Sequence, residues 1–441
     1  MRISSTMMSN NYLKQLNGTY EKYSKLMEQA DGSKLHRASD NAVGYSKYLR
    51  YQNNQISNEQ YQSNVSTASS WMKNADAALV NVTDLLQTFK AKVEQGANST
   101  NNESDMKDIA KELLANVQEQ VADLNTQIGD RFLFAGQKDT TMPFEISADK
   151  MSRGDTFTLD EKQSAFFSGA TGWGAENTTV KQMLKLNGDD GNSYYMNVNT
   201  GDVYTEDFVK NGYKNEDKFD PAKQRVGNIT AITDPPTAYK VSDHFDQYGV
   251  IKTDTGVGTN AKYNVTVDGK QVNLKLSTTK QYIVKYAGDD KYISMVKKNG
   301  GVDKATDTVN VTGQDINGCD LFDVGNDPHS GTARLNQLLY TVAKLDGADY
   351  KWAGEQGMTI ADSAHATVLG AQTKMAARQQ AYNSSSSMLV TQNESITSDI
   401  SDVSSTDVAQ LATKLMEYQT IYSLSLSVGS KILPGTLADY L

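Results

Sequence analysis

The sequence predicts a mainly α-helical chain with an inserted β domain: the N- and C-terminal arms form a long antiparallel coiled-coil or helical-bundle rod, and a β-rich domain lies in the middle. Three observations predict it. Apolar residues keep heptad spacing over 65–93, they keep it again over 368–403, and between Thr140 and Asp320 the pattern changes to short alternating runs separated by turn pairs.

Taken in order, Leu13, Leu16, Tyr20, Tyr23, Met27 and Ala30 form a first stripe in steps of three and four. Asp31-Gly32-Ser33 breaks it. Val65, Ala68, Met72, Ala75, Leu79, Val82, Leu86, Phe89 and Val93 then hold the alternation without a miss. Four heptads of helix reach roughly 40 Å at 1.5 Å per residue. Gly96 to Asn102 should reverse the chain, and Glu103 to Ile128 resumes a helix through Met106, Ile109, Leu113, Val117, Val121 and Leu124.

In the middle, Tyr263, Val265 and Val267, then Asp268-Gly269, then Val272, Leu274 and Leu276 make a hairpin signature. Other expected strands are Tyr194 to Val198, Tyr282 to Tyr286, Tyr292 to Val296 and Thr308 to Val311. Leu335, Leu338, Leu339 and Val342 mark the return to helix. Val368, Met375, Tyr382, Leu389, Ile396 and Val403 follow at intervals of seven, and the spacing persists across Ser384 to Ser387. After a weakening at Ser401 to Thr406, the stripe restarts at Val408, Leu411, Leu415, Tyr418, Tyr422 and Leu426, and Pro434-Gly435 ends it. The expected organisation is a terminal-helix region at 1–45, an N-terminal rod arm at 46–140, a β-rich outer domain at 141–320, a C-terminal rod arm at 321–403 and a second terminal-helix region at 404–441.

Composition narrows the function. In 441 residues, Lys and Arg number 43 against 53 Asp and Glu, and the net charge of -10 with no basic cluster argues against a nucleic-acid partner. No apolar run is long enough to span a membrane. The lone Cys319 forms neither an internal disulfide nor a cysteine-based zinc site, and is expected as a buried thiol. No GxxxxGK[ST], GxSxG or HExxH occurs. His36, His244, His329 and His365 stand singly and read as surface or turn residues. Asn187 to Asn192 superficially suggests a calcium loop, but Gly191 falls where an oxygen ligand is needed, so a plain turn is expected. Asp289-Asp290 reads as solvated loop charge, and Trp173, Tyr194 and Tyr195 as β-domain core and not a carbohydrate platform. No catalytic, cofactor or metal residues are assigned.

Four segments resemble the flagellin family. They are Met1-Arg2-Ile3-Ser4 with Met7 and Met8, then Gly32 to Gly44, then Leu124-Asn125-Thr126 with Gly129-Asp130-Arg131-Phe132-Leu133-Phe134-Ala135-Gly136 and Pro143-Phe144, and last Asp407 to Leu426 with Leu437-Ala438-Asp439-Tyr440-Leu441. The chain ends are most similar to the family's hook-associated members, whereas Asn41-Ala42 is closer to a filament flagellin. The resemblance implies a structural subunit of the extracellular bacterial flagellum, an adaptor at the hook-filament junction, with filament flagellin as the alternative. A β-domain adhesin or glycan-binding protein on a helical stalk is the more distant one. It also implies export through the flagellar type III apparatus with a chaperone, self-association in a ring or helical layer, and neighbouring hook-associated protein and filament flagellin as partners. Short helices at chain ends bury little alone. Leu13, Leu16, Tyr20, Tyr23, Met27, Leu411, Leu415, Tyr418, Tyr422 and Leu426 are therefore the expected subunit-interaction residues.

Overall fold

The computed structural model describes residues 5–167, 180, 182–197, 201–212, 225–228, 262–293, 308–317 and 333–432. Cys319, Trp173, His244, His329, the first four residues and Pro434 to Leu441 lie outside them. Long N- and C-terminal helices flank a β-rich middle. The chain divides into two compact units, Met1–Ser66 with Ser384–Leu441, and Thr67–Asn383.

The N-terminal helices are α1 (Ser5–Glu28), α2 (Ala42–Gly96) and α3 (Glu103–Leu124). The expected break falls at Gly32, whose φ of 93° suits glycine, and α2 starts where Asn41 Oδ1 accepts the Gly44 N–H at 2.9 Å. Asn102 and Asp105 cap α3 reciprocally in a capping box. The helix expected to reach Ile128 stops at Leu124. Asn125 turns aside to clamp the Phe144 backbone, donating to its carbonyl at 2.8 Å and accepting its N–H at 3.0 Å, and Gly129 (φ 64°) sets the turn between β1 (Gln127–Ile128) and β2 (Arg131–Phe132). Helical periodicity carries no sign of these side-chain competitors.

In the Thr67–Asn383 unit, the α2 seam from Ala68 to Val93 is at most 1% exposed at every heptad position. Asn116 on α3 donates to the Leu85 carbonyl at 2.9 Å, and Lys92 pairs with Glu112 at 2.5 Å. The other side of α2 meets the helix that follows the π-helical stretch Ala353–Gly357, namely α8 (Met358–Ser404), where Lys90 pairs with Asp362 at 2.5 Å. Past the short helices α4 (Glu161–Ala165), α5 (Glu206–Lys210) and α6 (Gly313–Asn317), Leu335, Leu338, Leu339 and Val342 lie buried on α7 (Ala333–Asp346), and Val368, Met375 and Tyr382 lie buried on α8. Arg334 on α7 is fully enclosed: Nη1 donates to Gln120 at 2.7 Å and Nε to Asn317 at 3.2 Å, and burial pushes its pKa down to about 9.

Past β3 (Phe144–Ile146) and β4 (Met151–Gly154), the β region centres on an antiparallel sheet ordered β10-β11-β6-β7-β8-β9, with β5 (Thr156–Thr158) pairing the other half of β6 (Gln182–Gly188). Its strands β7 (Ser193–Asn197), β8 (Asp202–Thr205), β9 (Gly227–Asn228), β10 (Lys262–Val267) and β11 (Lys270–Leu276) alternate with turns. The hairpin read from Asp268-Gly269 is present, with φ of 49° and 78° at the two turn residues, as a type I′ turn requires. Tyr194 and Tyr195 are buried in the sheet's core, as expected.

Two further expectations need correction. Of the strands expected at Tyr292 to Val296 and Thr308 to Val311, Tyr292, Ile293 and Val309 to Val311 are not strand, Thr308 makes only an isolated β-bridge, and residues 294–296 lie outside the described residues. Asn310 takes their place as a side-chain bridge, accepting the Ile293 N–H at 2.6 Å and donating to the Lys291 carbonyl at 3.2 Å. Asp289-Asp290 is half-buried architecture and not solvated charge: Asp289 accepts the Gln137 N–H at 2.6 Å and Asp290 accepts the Thr312 hydroxyl at 2.7 Å. Gly136 (φ 71°) is needed there, because a Cβ would run into Asp289.

Between sheet and helices sits Asp155. Its carboxylate accepts Ser277 (2.6 Å), Thr279 (2.5 Å) and Tyr340 (3.0 Å) hydroxyls and pairs with Lys344 at 3.3 Å. Burial alone would raise its pKa, but Lys344 and the three hydroxyls outweigh that and hold it below the usual carboxylate value.

Candidate assembly interface

In the Met1–Ser66 and Ser384–Leu441 unit, the helices run on through Ser384 to Ser387 without interruption. Asn58 of α2 donates to Gln392 of α8 at 3.3 Å, and Gln62 donates to the Leu389 carbonyl at 3.2 Å. The next helix, α9 (Val408–Ile432), packs beside α1. Tyr12 OH donates to the Ser425 carbonyl at 2.7 Å, and its ring lies so close to Gly429 that a Cβ there would overlap it. Tyr20 and Tyr422 rings stand 5.7 Å apart, and Lys22 Nζ lies 6.0 Å from the Tyr418 ring.

The breaks before α2 and before α9 are tied together. Lys34 N donates to Ser404 O at 2.7 Å, Thr406 N to Gly32 O at 3.0 Å, and Ser33 bridges Ser405. Lys25 pairs with Asp40 at 2.7 Å and, with the Arg37 and His36 amides, lowers that carboxyl's pKa. His36 sits in this turn, as expected, bonded to Asp31 at 2.8 Å. His365, expected at a surface or turn, is half-buried within α8 instead.

The sequence-chosen residues divide between two environments. Leu16, Tyr23, Leu415, Tyr418 and Tyr422 are half-buried and Leu411 is 6% exposed, whereas Leu13, Tyr20, Met27 and Leu426 stay exposed. A second apolar set on α9, Met416, Ile421, Leu424 and Val428, is exposed as well. Reasoning from the heptad stripe missed it, because a stripe search keeps one face and discards the others. The available signal was charge: Lys414, Glu417 and Lys431 are the only charged residues in the 25 of α9. A helix with apolar side chains around most of its circumference needs covering on more than one side.

The imbalance extends through the unit. Of the twenty large apolar side chains that remain exposed among the described residues, seventeen belong to Met1–Ser66 and Ser384–Leu441 and three to Thr67–Asn383. Among the described residues of the first unit only Leu35, Val65, Ile396 and Leu411 are buried hydrophobics. Apolar exposure concentrated in one unit on this scale points to an interaction surface. In the plain turn expected at 187–192, Asp189 accepts the Asn273 amide and Asp190 accepts Tyr194 and Asn192. No described helix is long and apolar enough to cross a membrane.

Residues 3–139 match the family model of the bacterial flagellin N-terminal helical region. That segment is similar to the N-terminal helical region of bacterial flagellins. A flagellin of Salmonella montevideo is 26% identical over 302 residues, which cover 59% of this chain and 58% of the relative, and a flagellin of Salmonella moscow matches to the same extent. The chain thus spans little more than half the length of these curated relatives. Among solved structures, a Vibrio parahaemolyticus chain assigned as a flagellar hook-associated protein has a TM-score of 0.41 at 14% identity, covering 83% of this chain and 100% of that one. The flagellar junction protein FlgL of Legionella pneumophila has 0.35 at 12%, covering 76% and 98%.

Proposed function

We propose, from the premise of a flagellin-type N-terminal region, that this chain is a structural subunit of the bacterial flagellum, an adaptor at the hook-filament junction that assembles through α1 and α9. The observation that carries the proposal is the apolar circumference of α9, half covered by α1 and otherwise exposed. Neighbouring subunits supply the missing burial, so assembly completes the core of the terminal unit. Patches that meet unlike patches on the next copy build a ring or helical layer. One side of that layer takes a hook-associated protein and the other filament flagellin. In this role the chain works by burial and geometry, not by catalysis. It reaches the extracellular flagellum unfolded, through the type III apparatus and with an export chaperone.

Filament flagellin is the second reading, favoured by Asn41-Ala42 and by the flagellin relatives. A deletion strain separates them. A junction role predicts cells without filaments that shed filament subunit into the medium; absence of that subunit from the medium would favour the filament reading.

Terminal completion on assembly also fixes an exchange pattern. In the isolated monomer, amides of α1 and α9 are expected to exchange fast, while those of α3 and α7 exchange near the global rate. Slow exchange across both terminal helices would show them already complete.

A further inference from the structure

We propose that the terminal helices carry a methionine oxidation site: the thioethers of Met7, Met8, Met27, Met388 and Met416 accept oxygen from peroxide-class oxidants in the unassembled chain, and the sulfoxides block assembly. The inference rests on the assembly role proposed above. These five are the described methionines of the Met1–Ser66 and Ser384–Leu441 unit, and they are 58%, 52%, 51%, 65% and 68% exposed. In the other unit Met72, Met183 and Met375 are 0% exposed, Met196 is 2% and Met106 is 5%, while Met142, at 47%, is its one fully surface-lying methionine among the described residues.

An unbranched, polarizable side chain adapts to unlike partners, which suits a subunit whose two neighbours differ. The same sulfur is the oxidisable atom. In the reaction a sulfur lone pair attacks peroxide, the O–O bond breaks, one oxygen stays on sulfur and the other leaves as water. Sulfur is oxidised by two electrons and the peroxide is reduced. A dithiol-dependent reductase reverses the step, giving thioether, disulfide and water. A sulfoxide places a polar oxygen on a surface that must be buried against a neighbour, where it lacks a partner. Assembly covers the sulfurs, so sensitivity is confined to the chain before it is incorporated.

The test treats the purified full chain with graded hydrogen peroxide, maps sulfoxides by peptide mass spectrometry, and follows association by sedimentation in sulfate, which strengthens apolar contact. The five terminal methionines and Met142 are expected to oxidise before Met72, Met183, Met196 and Met375, and the concentration needed for association to rise by about tenfold or more. A variant with the five changed to leucine, and Met142 intact, should associate equally well before and after peroxide. Oxidation of the buried four at the same rate, or unchanged association of a chain oxidised at all five, overturns the proposal. Failure of the untreated chain to associate overturns the assembly role instead, and the oxidation map, which requires no assembly, still decides the site.

Discussion

Replacing Asp155 with alanine is expected to destabilise the Thr67–Asn383 unit by about 3–5 kcal/mol, since it leaves Lys344 and three hydroxyls without their shared acceptor in a buried site. Asparagine, which keeps an acceptor oxygen but not the charge, should cost less. Tryptophan fluorescence in urea is the natural measurement, because Trp71, Trp173 and Trp352 all belong to this unit by sequence. The carboxyl's folded pKa lies below its unfolded value. Its contribution is therefore fully present above the unfolded pKa of about 3.9 and is lost as pH falls through the folded value. The wild-type urea midpoint should drop below about pH 4 more steeply than that of Asp155→Asn. Parallel pH profiles would show that the charge is not what holds this junction of β5, β12 (Thr278–Gln281) and α7.

A double change of Met416→Glu and Leu424→Glu is expected to abolish assembly while leaving the monomer folded. Both side chains are exposed in the isolated chain, at 68% and 59%, so stability should move by less than about 0.5 kcal/mol per site. Each should lose about 1.5–3 kcal/mol of apolar burial in the assembled state, before the added cost of burying charge. Association would then weaken by a factor of about 100 or more. Swimming and filament attachment in a complemented deletion strain, beside sedimentation of the purified chain, read the result. Wild-type assembly by the double variant would mean that this face of α9 stays in solvent.

Most of the helical architecture was legible because its cause is local. The seam from Val65 to Val93 repeats a burial requirement every three or four residues, and each of its nine positions is at most 2% exposed. The hairpin at Asp268-Gly269 was legible for the same reason, since two residues fix the turn. What escaped are pairings between distant parts of the chain. Arg334 reaches Gln120 across 214 positions and Gln137 reaches Asp289 across 152, and neither spacing has a period. The assembly surface was half legible. The stripe Leu411, Leu415, Tyr418 and Tyr422 is visible as a heptad, but it is the strip nearest α1, and the wider exposed face holding Met416, Leu424 and Val428 follows no single stripe.

The paired interruptions at Gly32 to Asn41 and Ser405 to Asp407 stand at one level, stitched by backbone bonds from Lys34 to Ser404 and from Thr406 to Gly32. Tilting a continuous helix strains its ladder along the whole length; here both ladders are already open at the same height. Bending is expected to fall at that level first, because leaning α1 and α9 there as one body sacrifices no helical hydrogen bond. A subunit placed between tubes of different stiffness would absorb their changing curvature at this ankle, and its remaining packing would stay in register.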